Sequence, residues 1–165
     1  MPKLKSHHLS MRAEHDLTRS KNLPPLLREC WNKLNRAFMR RVKTIGLTPD
    51  QYIALRWIHE FPKGKISQTN LAELMSTDSN NIAGLMRRME KLKLIWRETN
   101  LMDKRKKNIF TTLFGTSQFK KGKSIADNLE NEVLSCLNPK EKTHFLILLS
   151  QLAKEINSQR KELAR

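Results

Sequence analysis

The sequence has few of the residues that build disulfide frameworks, metal sites or membrane spans. Only two cysteines occur in its 165 residues, Cys30 and Cys136, and they form neither a CxxC pair nor a group with histidines at metal-ligand spacing. No apolar run approaches the roughly 18 residues that a membrane-spanning helix requires, so we expect no membrane partner. The first residues, MPKLKSHHLSMRAEH, are basic but lack the apolar stretch of a secretory signal. We therefore expect a protein of the reducing cytoplasm.

Apolar and aromatic residues are also scarce, at 38% and 6% of the chain. A chain with so little to bury is expected to obtain part of its burial from a partner subunit. Groupings typical of enzymes are missing as well, because serines, histidines and acids do not cluster and no glycine-rich phosphate loop occurs. We predict no catalytic residues, no metal and no cofactor.

Positive charge is what the sequence has in excess. Lysine and arginine total 32 against 16 aspartates and glutamates, a net charge of +16. Such an excess favours polyanions, because cations that neutralise phosphates release condensed counterions. Charge alone leaves nucleic acid, an acidic membrane face and a merely solvated surface open. Its placement is more informative, since residues 87–107 hold nine cations and three anions.

Helix-start signals divide the middle of the chain into short elements. Thr48, Ser67 and Asp78 each have the side chain of a helix N-cap, and Thr48 is followed by a proline and an acid. The predicted elements are helices over 50–60, 68–75 and 79–92 and strands over 94–98 and 108–112. The cation-rich segment 100–107 joins the two strands as a hairpin tip.

Longer helices are predicted on either side. The first runs from Pro24-Pro25 to Ile45, and another follows Gly115 to about Cys136 before Asn138-Pro139 restarts a last helix. Residues 1–22 show no hydrophobic period. We expect a flexible basic arm over 1–22, a central DNA-binding domain over 47–115, and dimerisation helices over 23–46 and 116–165.

The helix over 79–92 has a polar outer face, which carries Asn80, Asn81, Gly84, Arg87, Arg88 and Lys91. Asparagine can bond adenine in the major groove, so Asn80 and Asn81 are candidates for base contacts, whereas the cations suit phosphates. Gly84 costs roughly 1 kcal/mol relative to alanine. Close approach of the backbone to DNA would offset that cost, and the alternative is a tolerated defect.

The hairpin tip resembles a DNA-binding wing. Its cations can push an arginine into a narrow minor groove, and Asp103 would orient Arg105 or a neighbour. A solvated hairpin is the alternative. The predicted DNA-binding residues are Ser67, Gln68, Thr69, Ser79, Asn80, Asn81, Gly84, Arg87, Arg88, Lys91, Arg97, Lys104, Arg105, Lys106 and Lys107.

These segments resemble the MarR family of bacterial winged helix-turn-helix regulators over about 70 residues. LTPDQYIALRWI is similar to the family's LT-x-x-Q-[YF]-x-x-L helix, and NLAELMSTDSNNIAGLMRRMEKLKLI to its helix pair. DKRKKNIFTTLFG follows D-x-R … L-T-x-x-G, with Thr112 and Gly115 in register. Two positions depart from the pattern. Lys93 replaces the usual glycine after the second helix, which predicts a strained cap, and Thr111 replaces a leucine under the wing.

The resemblance implies a mainly α (α+β) fold, with a winged helix-turn-helix domain between long N- and C-terminal dimerisation helices. It also implies a homodimer that binds a pseudopalindromic operator on double-stranded DNA, and a repressor released by a small aromatic or phenolic effector. Candidate effector-binding residues are Trp31, Tyr52, Trp57 and His59, although aromatic residues in such positions often belong to a core. Some family members sense oxidants through a cysteine, but acidic Glu29 beside Cys30 disfavours a thiolate, and we interpret Cys30 as a packing residue.

Apolar side chains recur at helical spacing in the first and last helices, and the domain between them is too small to bury both sets. The predicted dimer interface comprises Trp31, Phe38, Leu148, Leu149, Leu152 and Ile156. Two other functions stay open on the sequence alone. One is a nucleoid-like or architectural DNA binder without a ligand response, and the other is a protein-interaction module that uses the same fold.

Overall fold

The computed structural model describes residues 23–61, 66–100 and 107–163, with side chains to residue 156. The predicted flexible arm over 1–22 lies outside them. The predicted mainly helical fold with a small sheet is confirmed. The described elements are α1 (Leu23–Lys43), α2 (Pro49–Glu60), α3 (Gln68–Leu74), α4 (Ser79–Lys91), β1 (Ile95–Thr99), β2 (Lys107–Thr111), α5 (Leu113–Val133), a 3-10 turn (Leu134–Cys136) and α6 (Pro139–Leu163).

The three predicted N-caps explain where the central helices begin. The Thr48 hydroxyl accepts from the backbone N–H of Gln51 at 3.2 Å, and the Gln51 side chain accepts in return from the Thr48 N–H at 2.9 Å. Ser67 forms the same reciprocal box with α3, and Asp78 accepts from the first turn of α4. Each cap satisfies N–H groups that a helix leaves without an internal partner.

Helices α1, α3 and α4 end in a common way, with a residue in the left-handed region that lets the backbone turn back. The three residues are Gly46 at φ +74°, Ser76 at φ +51° and Lys93 at φ +56°. After α4, the Leu94 N–H donates to the Met89 carbonyl at 2.9 Å, which closes a Schellman motif. The strained cap predicted at Lys93 is therefore present.

One apolar core joins α2, α3, α4 and the two strands. Helix α2 contacts α3, α4 and β2, and helix α4 also contacts α3 and β1. The inward positions predicted on α2, Tyr52, Leu55 and Ile58, are buried, whereas His59 lies at the exposed edge. The largest fully buried side chains are Val42, Leu55, Ile66, Leu71, Ile82, Met86, Met89, Leu94 and Ile109.

The wing is an antiparallel pair in which Trp96 faces Phe110. A short third segment joins it, because the Ile109 N–H donates to the Ile66 carbonyl at 3.2 Å. Both strands differ by one residue from the prediction, which placed them at 94–98 and 108–112. Leu94 cannot begin the strand because its N–H closes the end of α4, and Thr112 has already turned into the next helix.

Thr112 also explains why α5 begins at Leu113, three residues before the predicted start after Gly115. Its hydroxyl donates to the Lys93 carbonyl at 2.6 Å and accepts from the Gly115 N–H at 2.9 Å, which caps the helix. A Cβ on Gly115 would lie 1.8 Å from the Leu94 carbonyl oxygen. The T-x-x-G pattern is therefore a joint that ties the base of the wing to α5.

The chain divides into two compact units, residues 1–122 and 123–165. In the second unit, the predicted restart of the last helix is confirmed by its cap. The Asn138 side chain accepts from the Glu141 N–H at 3.0 Å, and the Glu141 carboxylate accepts from the Asn138 N–H at 2.8 Å. Among the described helices, none combines the length and apolar character needed to cross a membrane.

Candidate nucleic-acid interface

Helix α4 presents two chemically distinct faces. Ile82, Leu85, Met86 and Met89 are buried against the core, as their spacing predicts. The exposed side chains on the opposite face are Ser79, Asn80, Asn81, Arg87, Arg88 and Lys91. Three of these six residues are cations, and within the described chain none of them forms an ion pair. This face can therefore approach phosphates and the edges of bases together.

The two asparagines at the start of α4 differ in their surroundings. The Asn81 amide donates to the Asp78 carboxylate at 2.6 Å and to the Thr77 hydroxyl at 3.4 Å, so it belongs to the N-terminal cap. The Asn80 side chain is exposed and forms no hydrogen bond within the described residues. Only Asn80 has its full donor and acceptor set available to a base.

Gly84 lies between these asparagines and the cations, half-buried in the middle of α4. An added Cβ would meet only the flexible end of Arg88, at 3.4 Å, among the described residues. Packing within the described part of the chain therefore does not demand a glycine here. A requirement for glycine at this position would come from a partner molecule that approaches the outer face of α4.

The first turn of α3 contributes less exposed surface than its sequence suggests. The Ser67 hydroxyl is used in the helix cap, where it accepts from the Asn70 N–H at 3.2 Å and donates to the Asn70 side chain at 2.7 Å. Gln68 is half-buried and accepts from Arg97, whereas Thr69 is exposed. Of the three residues predicted here, Thr69 is the one that faces solvent.

Arg97, also among the predicted DNA-binding residues, is held within the domain. Its Nε donates to the Glu90 carboxylate at 2.8 Å, its Nη1 to the Gln68 side chain at 3.0 Å, and its Nη2 forms a short ion pair with Glu90. The hydrogen bond from Arg97 lowers the pKa of Glu90 against the opposing effect of burial. Sequence reasoning missed this cluster because Gln68 and Arg97 are 29 positions apart.

The tip of the wing, with Asp103, Lys104, Arg105 and Lys106, lies outside the described residues. Lys107 opens β2 and is exposed, and its charge contributes to lowering the pKa of Glu90. At the inner end of the tip, the Asn100 amide donates to the Asn108 side chain at 3.0 Å. The two strands therefore stay paired up to the point where the cation-rich segment begins.

An aromatic cluster lies where α1, α2 and α5 meet in the first unit. Tyr52 is at its centre, 5.1 Å from the ring of Phe38 and 6.2 Å from that of Phe119, and His59 is 4.5 Å from Phe119. A Cβ on Gly122 would lie 2.6 Å from the Tyr52 ring. Two of the four candidate effector residues, Tyr52 and His59, thus converge on Phe119, which sequence reasoning did not identify.

The other two candidate effector residues, Trp31 and Trp57, take no part in that cluster's ring contacts. Trp31 is exposed on α1 and Trp57 is half-buried on α2. Near the cluster in sequence, Gln118 is buried and donates to the Ile45 carbonyl at 2.7 Å, while its own carbonyl oxygen has no partner among the described residues. Such a buried unpaired acceptor is unusual and suits a polar ligand or water.

Neither cysteine lies in a reactive arrangement. Cys30, interpreted from the sequence as a packing residue, is exposed in the single chain, because its part of α1 carries no covering layer. Cys136 is exposed too, and its thiol donates weakly to the Val133 carbonyl at 3.4 Å. Within the described residues, no group of histidine, cysteine, aspartate and glutamate could hold a metal ion.

Comparison with known proteins identifies relatives of this domain. Residues 47–107 match the model of the MarR family. The transcriptional regulator HosA from Escherichia coli is 29% identical over 106 residues, which cover 64% of this chain and 77% of HosA. A crystal structure of MarR superposes with a TM-score of 0.76 at 25% identity, covering 87% of this chain and 97% of that one.

A complex of MepR from S. aureus with DNA has the same fold, with a TM-score of 0.76 at 22% identity over 81% of this chain and 98% of MepR. The predicted resemblance and the winged helix fold are thereby confirmed.

Proposed function

Because residues 47–107 match the model of the MarR family, we propose that the chain is a sequence-specific transcriptional regulator that binds double-stranded DNA as a homodimer in the cytoplasm. The observation that carries the proposal is the two-faced helix α4, whose buried side anchors it while its opposite side exposes asparagine and three cations. A helix of this kind next to a basic hairpin fits the major groove with its wing on the flanking backbone.

Sequence reading is assigned chiefly to Asn80, and positioning on the backbone to Arg87, Arg88 and Lys91. A side-chain amide can form a bidentate pair with adenine, which discriminates between bases by about 1–3 kcal/mol. Cations on phosphates add affinity without reading sequence. Ser79, Thr69 and the wing residues Lys104, Arg105, Lys106 and Lys107 would contact the backbone or the minor groove around this helix, with Asp103 orienting the wing.

The test compares three alanine variants on an operator selected from random DNA and on a random duplex of equal length. Asn80→Ala should lower operator affinity about 10-fold or more while random-DNA affinity falls little. Arg87→Ala should weaken both, because its contact carries no sequence information. Asn81→Ala is the matched neighbour, and it should cost helix stability more than specificity because Asn81 serves the cap.

Two results would count against this assignment. If Asn80→Ala weakened both DNAs equally, Asn80 would be a backbone contact and the reading residue would lie elsewhere. If the parent protein showed no preference for any selected sequence, the proposal of a sequence-specific regulator would be wrong, and the protein would be a non-specific DNA binder.

Exposed apolar side chains of the single chain support the proposed homodimer. Trp31 on α1 and Phe145, Leu148, Leu149 and Ile156 on α6 are all at least two fifths exposed. A run of large exposed apolar side chains on one helix, as on α6, usually belongs to an interface. With twofold symmetry, two copies of α4 would meet half-sites about one DNA turn, roughly 34 Å, apart, and the operator would be a pseudopalindrome.

We further assign a ligand response and a repressing role, with the aromatic cluster around Tyr52 as the effector site. The aromatic faces of Phe38 and Phe119, the imidazole of His59 and the Gln118 acceptor, which has no partner among the described residues, suit a small aromatic compound that carries a hydroxyl donor. A panel of hydroxybenzoates titrated into the protein–operator complex should release DNA. Gln118→Leu should weaken that release relative to the parent while leaving operator binding in place.

An architectural DNA binder is the second candidate, and the outer face of α1 favours it. The exposed cations there are Arg28, Lys33, Arg36, Arg40 and Lys43. Within the part of the chain that the structure describes, only Lys33 of these five pairs with an acid, Glu29. Such a face would hold DNA through phosphates alone. The ratio of operator to random-DNA affinity at one salt concentration separates the candidates, because a regulator gives roughly 10³-fold or more and a phosphate binder gives a value near one.

A further inference from the structure

Arg97 joins three elements of the DNA-binding domain through one side chain. It projects from β1 at the base of the wing, and every guanidinium nitrogen has a partner. The Nε and Nη2 atoms hold both oxygens of Glu90, in the last turn of α4, and Nη1 donates to Gln68, the first residue of α3, at 3.0 Å. This bidentate fork is the strong and geometrically specific form of an arginine–carboxylate pair.

The surroundings make this pair stronger than an ordinary surface ion pair. The side chain of Arg97 is only 15% exposed and that of Glu90 32% exposed. Solvent screens such a pair less than the exposed pairs Lys33–Glu29 and Lys123–Asp127. Their mutual hydrogen bonds lower the pKa of Glu90 and raise that of Arg97, so both stay ionised at neutral pH.

We propose that Arg97 is a positioning residue that fixes the wing to the recognition helix and does not itself contact DNA phosphate. The proposal rests on the DNA-binding function proposed above. Releasing Arg97 to a phosphate would leave a half-buried carboxylate on Glu90 without its partner, which is costly. With the pair intact, the wing and α4 approach DNA as one rigid element, and their phosphate and base contacts are reached together.

For one substitution, the proposed positioning role and simple electrostatics predict opposite changes in DNA affinity. Glu90→Ala removes a negative charge from the DNA-binding side of the domain, so charge alone predicts tighter binding to DNA. If Glu90 holds the wing through Arg97, the same change should instead weaken operator binding, by roughly 10-fold, because misplaced contacts are lost. The direction of the change, and not only its size, separates the two accounts.

The matched control is Glu98→Ala. Glu98 lies on β1 next to Arg97, is exposed, and forms no hydrogen bond or ion pair within the described residues. Glu98→Ala removes the same charge as Glu90→Ala, from the strand position next to Arg97, without touching the pair. Operator affinity of this variant should be unchanged or slightly higher. Both variants are measured at matched salt and at a temperature well below their melting transitions.

A double-substitution cycle assigns the effect to the pair. Glu90→Ala should weaken operator binding in the parent, but in an Arg97→Ala background it should cause no further loss, since the interaction is already absent. If Arg97 were a phosphate contact, Glu90→Ala would tighten binding while Arg97 was present, because Glu90 competes for its charge. Glu90→Gln, which keeps the side-chain shape and one bond, should show a smaller loss and remains folded if the alanine variant does not.

The outcomes separate the two proposals. If the parent binds DNA and Glu90→Ala or Glu90→Gln binds the operator as tightly as the matching Glu98 variant, the positioning role is overturned and the DNA-binding function stands. If the parent binds no DNA, the proposed function fails and this inference fails with it. Weaker binding by the Glu90 variants, confined to the background that contains Arg97, supports the positioning role.

Discussion

The helix-turn-helix region and the two long flanking helices differ in how far they bury their apolar residues. In α4, all four apolar stripe residues are buried, and polar side chains occupy the other face. In α1 and α6, Trp31 is 58% exposed and Ile156 is 54% exposed. Helix α4 buries its apolar stripe within one chain, whereas the flanking helices leave large apolar side chains exposed. Folding of the domain and assembly of the protein are therefore separable properties.

The contrast is sharpest in the segment Phe145–Leu149 of α6. All five residues are large and apolar, and each is between 40% and 50% exposed. An amphipathic helix on a single core buries one stripe and exposes polar residues elsewhere. Five consecutive apolar residues cover more than one face of a helix, so a single packing partner does not cover all of them. This segment suits a helix that packs against several neighbours in an assembly.

The largest effect is expected from Gly115→Ala, which disrupts the packing of the wing base against the start of α5. The new Cβ would lie 1.8 Å from the Leu94 carbonyl oxygen, which is backbone and cannot rotate away. We expect a loss of about 3 kcal/mol or more in the free energy of unfolding, measured by urea denaturation. Normal stability would show that the joint between the wing and α5 adapts freely, and the contrast between the regions would weaken.

Leu148→Glu attacks the exposed surface instead. Leu148 is half-exposed in the single chain, so a carboxylate there leaves the chain's own fold intact, but in a dimer interface it would be buried without a partner. We expect dimer affinity to fall by about 3 kcal/mol, roughly 100-fold. Sedimentation at micromolar concentration measures the loss. Leu152 is a less suitable site because it is half-buried already.

The control for this experiment is Ser150→Glu, which adds the same charge to an exposed polar position of α6. It should sediment like the parent. A parent protein that is monomeric and well folded at these concentrations would contradict the dimer proposal directly.

The comparison also shows which features the sequence could predict. The caps at Thr48, Ser67 and Asp78, and the left-handed cap at Lys93, depend on neighbours within a few residues, so local patterns identify them. The polar face of α4 follows from helical spacing. Sequence patterns are sufficient to predict a feature wherever its hydrogen bonds join residues within one helical turn.

Features made by distant residues were not predicted. The pairing of Arg97 with Glu90 and Gln68 is one such feature, because these partners come from two other elements and no spacing rule connects them. The aromatic neighbour Phe119 was missed for the same reason. The start of α5 differed because the Thr112 hydroxyl bonds to Lys93, 19 residues earlier, as well as to its own helix.

Gly84→Ala tests whether the outer face of α4 is shaped by a partner. Among the described residues, only the flexible end of Arg88 lies near the added methyl group, so the helix should gain about 1 kcal/mol of stability. If DNA approaches this backbone closely, operator affinity should fall at the same time, by about 10-fold. Urea denaturation and operator titration of the same preparation give both values. A variant that is more stable and binds equally well would make Gly84 a tolerated defect.

The smallest effect is expected at Lys93, where the left-handed backbone at the end of α4 is locally strained. A residue with a side chain at φ +56° pays about 1 kcal/mol that glycine does not, although glycine loses more entropy on folding. Lys93→Gly should therefore raise the free energy of unfolding by about 0.5 kcal/mol, with the denaturant slope unchanged. Lys93→Val, which tolerates this conformation least, should lower it. If both variants were destabilised equally, the loss would come from removing the lysine side chain and not from backbone strain.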